Sequence, residues 1–327
     1  MATERDFVRT IEAAYQVDRP LKRWLKGVLE SARPWLDQGI GVFGYAWQVD
    51  EGGIVSFVEH VALGGPGIDL IRLAGDIPAE IGRMGAKILQ ANRCGLSSRV
   101  LRPPEIFDFY MGPLRAIGIA DAIGINGLDS PRSGIWIGAY LPRLRSLARG
   151  EERLYRRMAR HLAAGNRLRH RLGPRLPTDD EAAAILSPGG RVEHAAPSAR
   201  SAEVRTALRQ AVLAMDRARG AERRTDPDSA VRRWQVLADS RFTLMDRFES
   251  DGRRFVVACE NQLETAPHPR LTERERQIVA LYRLGSDSKM IAYELGLADA
   301  TVRVLLSRAA RRLGVGRPRG LRDTTGS

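Results

Sequence analysis

The 327-residue sequence has only two cysteines, Cys94 and Cys259, far apart in the chain. They offer neither a disulfide framework nor metal-ligand spacing, which fits a reducing compartment. Lysine is scarce: Lys22, Lys26, Lys87 and Lys289 are the only four among 52 basic residues, and the rest are Arg. The five histidines (60, 161, 170, 194 and 268) fall in no metal-binding spacing. No uncharged apolar run approaches the roughly 18 residues of a membrane span. The N-terminal MATERDFVRT is charged where a signal peptide carries its apolar segment. A P-loop, a nucleophile elbow and an HExxH helix are all missing. These absences point away from secreted, membrane-spanning, nucleotide-hydrolysing, serine-hydrolase and zinc-protease classes. The expectation is a cytoplasmic, non-enzymatic protein with no cofactor and no metal.

What is present is a chain that can bury a core, with 43% hydrophobic and 28% charged residues. At about 100–200 residues per domain it holds two or three domains. The formal net charge is +13, unevenly spread. Residues 1–140 carry 15 basic and 16 acidic side chains, and residues 141–175 carry 11 and 2. Residues 176–269 carry 14 and 15, and residues 270–327 carry 12 and 6. Two confined basic blocks, one of them C-terminal, are the footprint of a polyanion partner.

The N-terminal segment alternates helical and strand patterns. Leu21 to Leu36 reads as a helix. Ile40 to Val49 and Ile54 to Leu63 read as a hairpin around Asp50-Glu51-Gly52-Gly53. At period two, Phe43, Tyr45 and Trp47 share one face and are a candidate ligand pocket. Asp76 to Gln90 reads as a helix capped by Asp76, with Ile77, Ile81 and Ile88 along one side. Ile117 to Ile125 and Gly134 to Leu141 read as a second strand pair, with turn chemistry at Asn126-Gly127 and Ser130-Pro131. A long amphipathic helix follows over about Gly150 to Leu172, with Leu154, Met158, Leu162 and Leu172 inward. This order of helix, hairpin, helices, hairpin and exit helix resembles a GAF-type sensor domain over residues 1–175. The resemblance implies an effector, small molecule or protein, acting on that domain.

Residues 176–265 repeat the pattern on a smaller scale. Two short strands are expected within Ala183 to Ala195, helices over Ala202 to Arg219 and Ser229 to Ala238, and a hairpin over Arg241 to Phe248 and Arg253 to Glu260 around Ser250-Asp251-Gly252. The segment is similar to a reduced PAS-like module; a helical connector bearing one hairpin fits as well.

Residues 266–327 read as all-helical. Thr272 with Glu275 three residues on forms a capping box, so a helix starts there, with Ile278, Leu281 and Tyr282 on its apolar stripe. Gly285-Ser286-Asp287 breaks it. A short helix over Ser288 to Leu295, a turn at Gly296-Leu297-Ala298 and a third helix over about Asp299 to Leu313 complete a helix-turn-helix. If Val302, Leu306, Ala309 and Leu313 face inward, a wheel at about 100° per residue turns Val304, Ser307 and Arg311 outward, with Arg303 and Arg308 alongside. Arg can read guanine bidentately and Val304 can touch a thymine methyl. Arg308, Arg311 and Arg312, and Lys289 at the start of the preceding helix, suit phosphates.

The run LTERERQIVALYRLGSDSKMIAYELGLADATVRVLLSRAARRLGV resembles the LuxR-type DNA-binding domain. Leu271, Thr272, Arg274 and Glu275 match its opening, and Gly285, Lys289, Ile291 and Ala292 its middle. Thr301, Val302 and Arg303 match its recognition helix, and Leu313, Gly314 and Val315 its close. The resemblance implies base contacts at Arg303, Val304 and Ser307, phosphate contacts at Lys289 and Thr301, double-stranded DNA as partner, and a homodimer. The chain departs from the pattern at Asp287 and Ser288, at Ala298 where a capping Ser is usual, and at Leu305 where His is common. Past Gly316, Leu321 is the only large apolar side chain for a fourth helix. The fold expected is therefore α+β and multidomain: a GAF-like α/β sensor, a small connector and an all-α helix-turn-helix. Two other functions remain open on sequence: a sigma-factor-like promoter reader, and a sensor or adaptor whose helix-turn-helix docks a protein partner.

Overall fold

In the computed structural model, residues 6–65, 77–234, 241–249, 251–261, 270–283 and 286–323 are described. The expected cap Asp76, Ser250, Gly285 and the end of the helix expected over Ser229 to Ala238 lie outside them. The chain divides into two compact units, one of residues 1–176 with 221–231 and one of 177–220 with 232–327. Both are built of helices and antiparallel sheets. Among the described residues no helix is long and apolar enough to cross a membrane.

The first unit opens with α1 (Phe7–Ala14) and α2 (Leu21–Leu36), then the hairpin β1 (Val42–Val49) and β2 (Val55–Leu63). Next come α3 (Ala79–Ala91), β3 (Cys94–Leu96), α4 (Ser97–Val100) and α5 (Pro104–Ala116). The pair β4 (Asp121–Ser130) and β5 (Ser133–Leu141) leads into α6 (Arg149–Leu172). Strand order is β2-β1-β5-β4-β3, antiparallel throughout. Hairpin β1–β2 turns where expected: Asp50 holds the turn through Gly53 N to its carbonyl (3.1 Å) and Ile54 N to its carboxylate (2.8 Å). Helices α1, α4 and α5 and strand β3 add to the elements expected.

One face of this sheet carries α2 and α6, the other α3 and α5. Gly127 of β4 passes directly under α6, where a Cβ would come within 2.6 Å of the Leu162 Cβ. That approach explains a departure from expectation. Asn126-Gly127 is no turn; the strand runs through it and turns only at Ser130 to Ser133. The buried Asn126 amide donates to the Leu89 and Asn92 carbonyls at 2.6 and 2.9 Å and accepts from the Trp47 indole at 3.1 Å. Its polar groups are thus satisfied inside the sheet, and its turn propensity is overridden. On α3 the buried side is Gly82, Gly85, Ala86 and Leu89, while Ile77, Ile81 and Ile88 are half-buried. The small residues let α3 lie close to its neighbours, since a Cβ on Gly82 would meet Ile54 at 2.6 Å.

All four residues expected inward on α6 are buried. Several of its arginines are engaged rather than free: Arg156 pairs with Glu152 at 2.7 Å, and Arg169 lies 5.8 Å from the Trp24 ring centre. The basic block around this helix is therefore partly a packing device. The Asp129 carboxylate, buried at the end of β4, accepts from Ser133 Oγ at 2.8 Å and Asn166 Nδ2 at 2.7 Å, and lies 3.1 Å from His170 Nδ1. Burial raises its pKa, but the His170 and Ser133 hydrogen bonds outweigh burial and hold it below the ordinary carboxylate value.

The second unit begins with β6 (Ala184–Leu186), β7 (Val192–Ala195) and α7 (Ala202–Arg219). The chain then passes through the short helices α8 (Glu222–Thr225) and α9 (Pro227–Arg233), counted with the first unit up to residue 231, before the hairpin β8 (Phe242–Phe248) and β9 (Arg254–Glu260) of the second unit. The four strands form one antiparallel sheet in the order β7-β6-β9-β8. An ionic network fastens α7 to the hairpin. Arg254 donates to Asp246 at 2.9 Å and to Asp216 at 2.8 Å, and Arg219 pairs with Asp246 beneath the buried Trp234 ring, 4.7 Å from its guanidinium. The near-neutral charge balance of this segment is thus internal pairing.

Candidate functional site

The C-terminal helices are α10 (Glu273–Arg283), α11 (Ser288–Leu295), α12 (Asp299–Arg312) and the single turn α13 (Gly320–Asp323). The capping box forms as expected: Thr272 N and Oγ1 both donate to Glu275 Oε2, at 2.9 and 3.0 Å, and Glu275 N donates back to Thr272 Oγ1 at 3.3 Å. Ile278 and Leu281 are buried while Tyr282 is half-buried. Asp287, which departs from the LuxR pattern, caps α11 through Met290 N at 2.8 Å. Gly296 ends α11 in the left-handed conformation at φ 65°, and Leu297 N closes the turn on the Ala292 carbonyl at 2.9 Å. Ala298 begins α12 without a side-chain cap.

Helix α12 buries Val302, Leu306, Ala309 and Ala310; Leu313 lies past its end as a half-buried C-cap. Arg303, Val304, Ser307, Arg308, Arg311 and Thr301 are exposed, as is Lys289 on α11. Val304, an apolar residue 50% exposed in the middle of a basic face, is the most telling of these. Arg303 is not extended alone: it pairs with Asp299 one turn earlier. The Ser288 hydroxyl and then Arg303 hold the Asp299 carboxyl below its ordinary pKa. The ion pair keeps the guanidinium along the N-terminal half of α12.

Arg312 differs from its expected phosphate role. It reaches across to the buried Glu275 carboxylate and ties α12 to the cap of α10. A buried carboxylate with no cation beside it costs several kcal/mol, so this guanidinium is recruited inward. Glu275→Ala should destabilise these helices by about 2–4 kcal/mol, from the lost cap and the lost ion pair. Hydrogen exchange of the α10 and α12 amides would register it; unchanged protection would show that the box and the bridge are ornamental. Leu321 is also spent within the chain, fully buried, with its carbonyl accepting from Arg283 at 3.1 Å.

Residues 269–320 match the family model for bacterial regulatory proteins of the luxR family. The match spans all three helices of the luxR-type segment and the start of α13. No curated protein matches the chain. The match supports a DNA-binding transcription regulator, with duplex DNA as partner. Within the luxR-type segment, the structure places the six expected α12 contact residues and Lys289 at the surface, and removes Arg312 from that set.

The other expected site, Phe43, Tyr45 and Trp47, is only partly brought together. In the first unit a cavity of about 100 Å³ lies between the sheet and helices α3 to α5. Phe43 and Tyr45 line it; Trp47 does not. The Trp47 ring instead covers Gly134, where a Cβ would approach it to 2.7 Å, and its indole N–H is bound to Asn126. Phe57, Phe109, Tyr110, Trp136 and Tyr140, which the sequence pattern does not single out, complete the aromatic wall. Tyr140 and Trp136 sit at period two on β5, the pattern that could have found them. The Trp136 ring lies flat over Gly124, where any side chain would collide with it.

Proposed function

We propose that the protein is a DNA-binding transcription regulator that reads the major groove with α12. Arg303, Val304 and Ser307 meet base edges, while Lys289, Thr301, Arg308 and Arg311 meet phosphates. The observation that carries this reading is the coincidence of the luxR-family match with the exposure of all seven residues, six on α12 and Lys289 on α11. A helix fits the major groove, and guanidinium groups satisfy both its base edges and its phosphate rims. Residues 1–175 act as a GAF-like sensor, 176–265 as connector and 266–327 as the DNA-binding segment. The order of the five strands, with helices on both sheet faces and a long exit helix, favours the sensor assignment. The regulator acts as a homodimer through its N-terminal region, because Leu321 is already buried against its own chain.

Selection of bound sequences from random duplex DNA with the full chain tests the assignment. The wild type should enrich a two-fold symmetric site. Arg303→Ala should relax the preference at one position, at about 1–3 kcal/mol. Lys289→Ala should weaken all sequences alike and flatten the salt dependence by about one unit of slope. A changed base preference in Lys289→Ala, or no enriched sequence in the wild type, would defeat these roles.

A further inference from the structure

The aromatic cavity of the first unit contains an imbalance. Tyr140 is 1% exposed, yet its hydroxyl has no hydrogen-bond partner among the described residues, and neither has the Tyr110 hydroxyl. Leaving such a group dry and unpaired is unfavourable by about 1–3 kcal/mol, and native interiors rarely tolerate it without a reason. Tyr45 lies on the same wall, close enough for the three phenols to influence one another. Desolvation first, then its neighbours Tyr110 and Tyr140, raise Tyr45, while burial pushes Tyr110 and Tyr140 each up to about 12. All three are therefore protonated donors at neutral pH.

The remaining walls define the occupant by elimination. Every described lining residue is apolar, aromatic or a neutral hydroxyl, so an anion entering here would meet no opposite charge, and a cation would meet ring faces but no carboxylate to offset its desolvation. The Tyr45 and Trp136 rings are nearly parallel, 4° apart in plane with centroids at 6.0 Å, and Phe43 stacks on Tyr140 at 4.6 Å. Gly85 keeps the space beside Tyr110 open, since a Cβ there would stand 3.3 Å from the hydroxyl. At about 100 Å³ the cavity is smaller than the roughly 150 Å³ apolar cavity that accepts benzene, which limits the occupant to one ring.

We propose that this cavity is an effector site for a small uncharged molecule of one aromatic ring bearing an oxygen acceptor. The ring packs against Phe43, Trp136 and Phe109, and the oxygen accepts from Tyr140 and Tyr110. The inference rests on the sensor half of the proposed function and is independent of the DNA-reading half.

The test uses the full chain without DNA, with binding followed by calorimetry and by the shift in Tm. Acetophenone is the probe, ethylbenzene its counterpart without oxygen, and benzoate and phenyltrimethylammonium the charged comparisons. Acetophenone should bind saturably and raise Tm, and the two charged compounds should not. Tyr140→Phe should weaken acetophenone about tenfold, the worth of one well-placed hydrogen bond in a dry site. It should leave ethylbenzene unchanged and should not lower the Tm of the empty protein, because the hydroxyl it removes has no partner there. Tyr110→Phe provides an independent second reading of the same pattern. The inference is overturned if no saturable binding occurs, if either ion binds as well as acetophenone, or if both variants leave acetophenone unaffected. A chain that binds acetophenone but retains no DNA would uphold this inference and defeat only the DNA reading.

Discussion

Val304→Glu weakens retention on duplex DNA about a hundredfold while leaving the fold intact. Val304 is half-exposed on α12, so replacing it removes little packing, and surface changes of this kind stay within about 0.5 kcal/mol. Its position between Arg303 and Ser307 puts the new carboxylate on the face assigned to the groove. Juxtaposing like charges at an interface costs several kcal/mol. A penalty of about 3 kcal/mol is roughly a hundredfold in affinity. Phe248→Glu is the matched control, because Phe248 is also exposed and apolar, at 64%, but sits on β8. Filter or gel retention at fixed salt reads both. If Val304→Glu binds as tightly as Phe248→Glu, then α12 does not enter the groove and the reading fails.

Acidification from pH 6.5 towards 4 strips several kcal/mol from the first unit, and His161 is the cause. This side chain sits fully buried in the middle of α6, with Nδ1 hydrogen-bonded to the Tyr15 hydroxyl at 3.0 Å. Burial pushes the imidazole down to about 3. An unfolded chain takes up the proton near the ordinary value of about 6.5, whereas the folded chain takes it up only near 3. Between those values the unfolded state binds more protons, so stability rises with pH and is lost as pH falls below the unfolded pKa. The slope approaches about 1.4 kcal/mol per pH unit, and about 3 to 6 °C of Tm per unit for a unit of this size. Melts at pH 7.5, 6, 5 and 4 should show this slope. His161→Gln, less stable at neutral pH, should lack it. An identical slope in the variant would assign the acid sensitivity elsewhere.

Tyr15 and His161 also show where sequence reading stops. They meet across 146 residues, and no local pattern announces such a pair. The same holds for the cavity. Phe43 and Tyr45 share a strand face and were legible as a pair, whereas Tyr110 comes from α5 and Tyr140 from β5. Trp47 has the right periodicity but lies over Gly134 and binds Asn126, so alternation named a face without defining the cavity in it. Asn126-Gly127 carries turn chemistry, yet contact with α6 makes it a strand. Helix α2 and the hairpin around Asp50 to Gly53 agree closely with expectation, because caps, turns and amphipathic stripes act over three or four residues.

The amino-acid sequence by itself determined the helix-turn-helix, its outward face and its capping box, since each depends on neighbours within one or two helical turns. Tertiary structure alone decided that Arg312 serves Glu275 rather than a phosphate, that Leu321 is buried at home, and that three phenols line one cavity. Those outcomes depend on burial, which makes an unpaired charge or hydroxyl costly, and burial is set by segments distant in the chain.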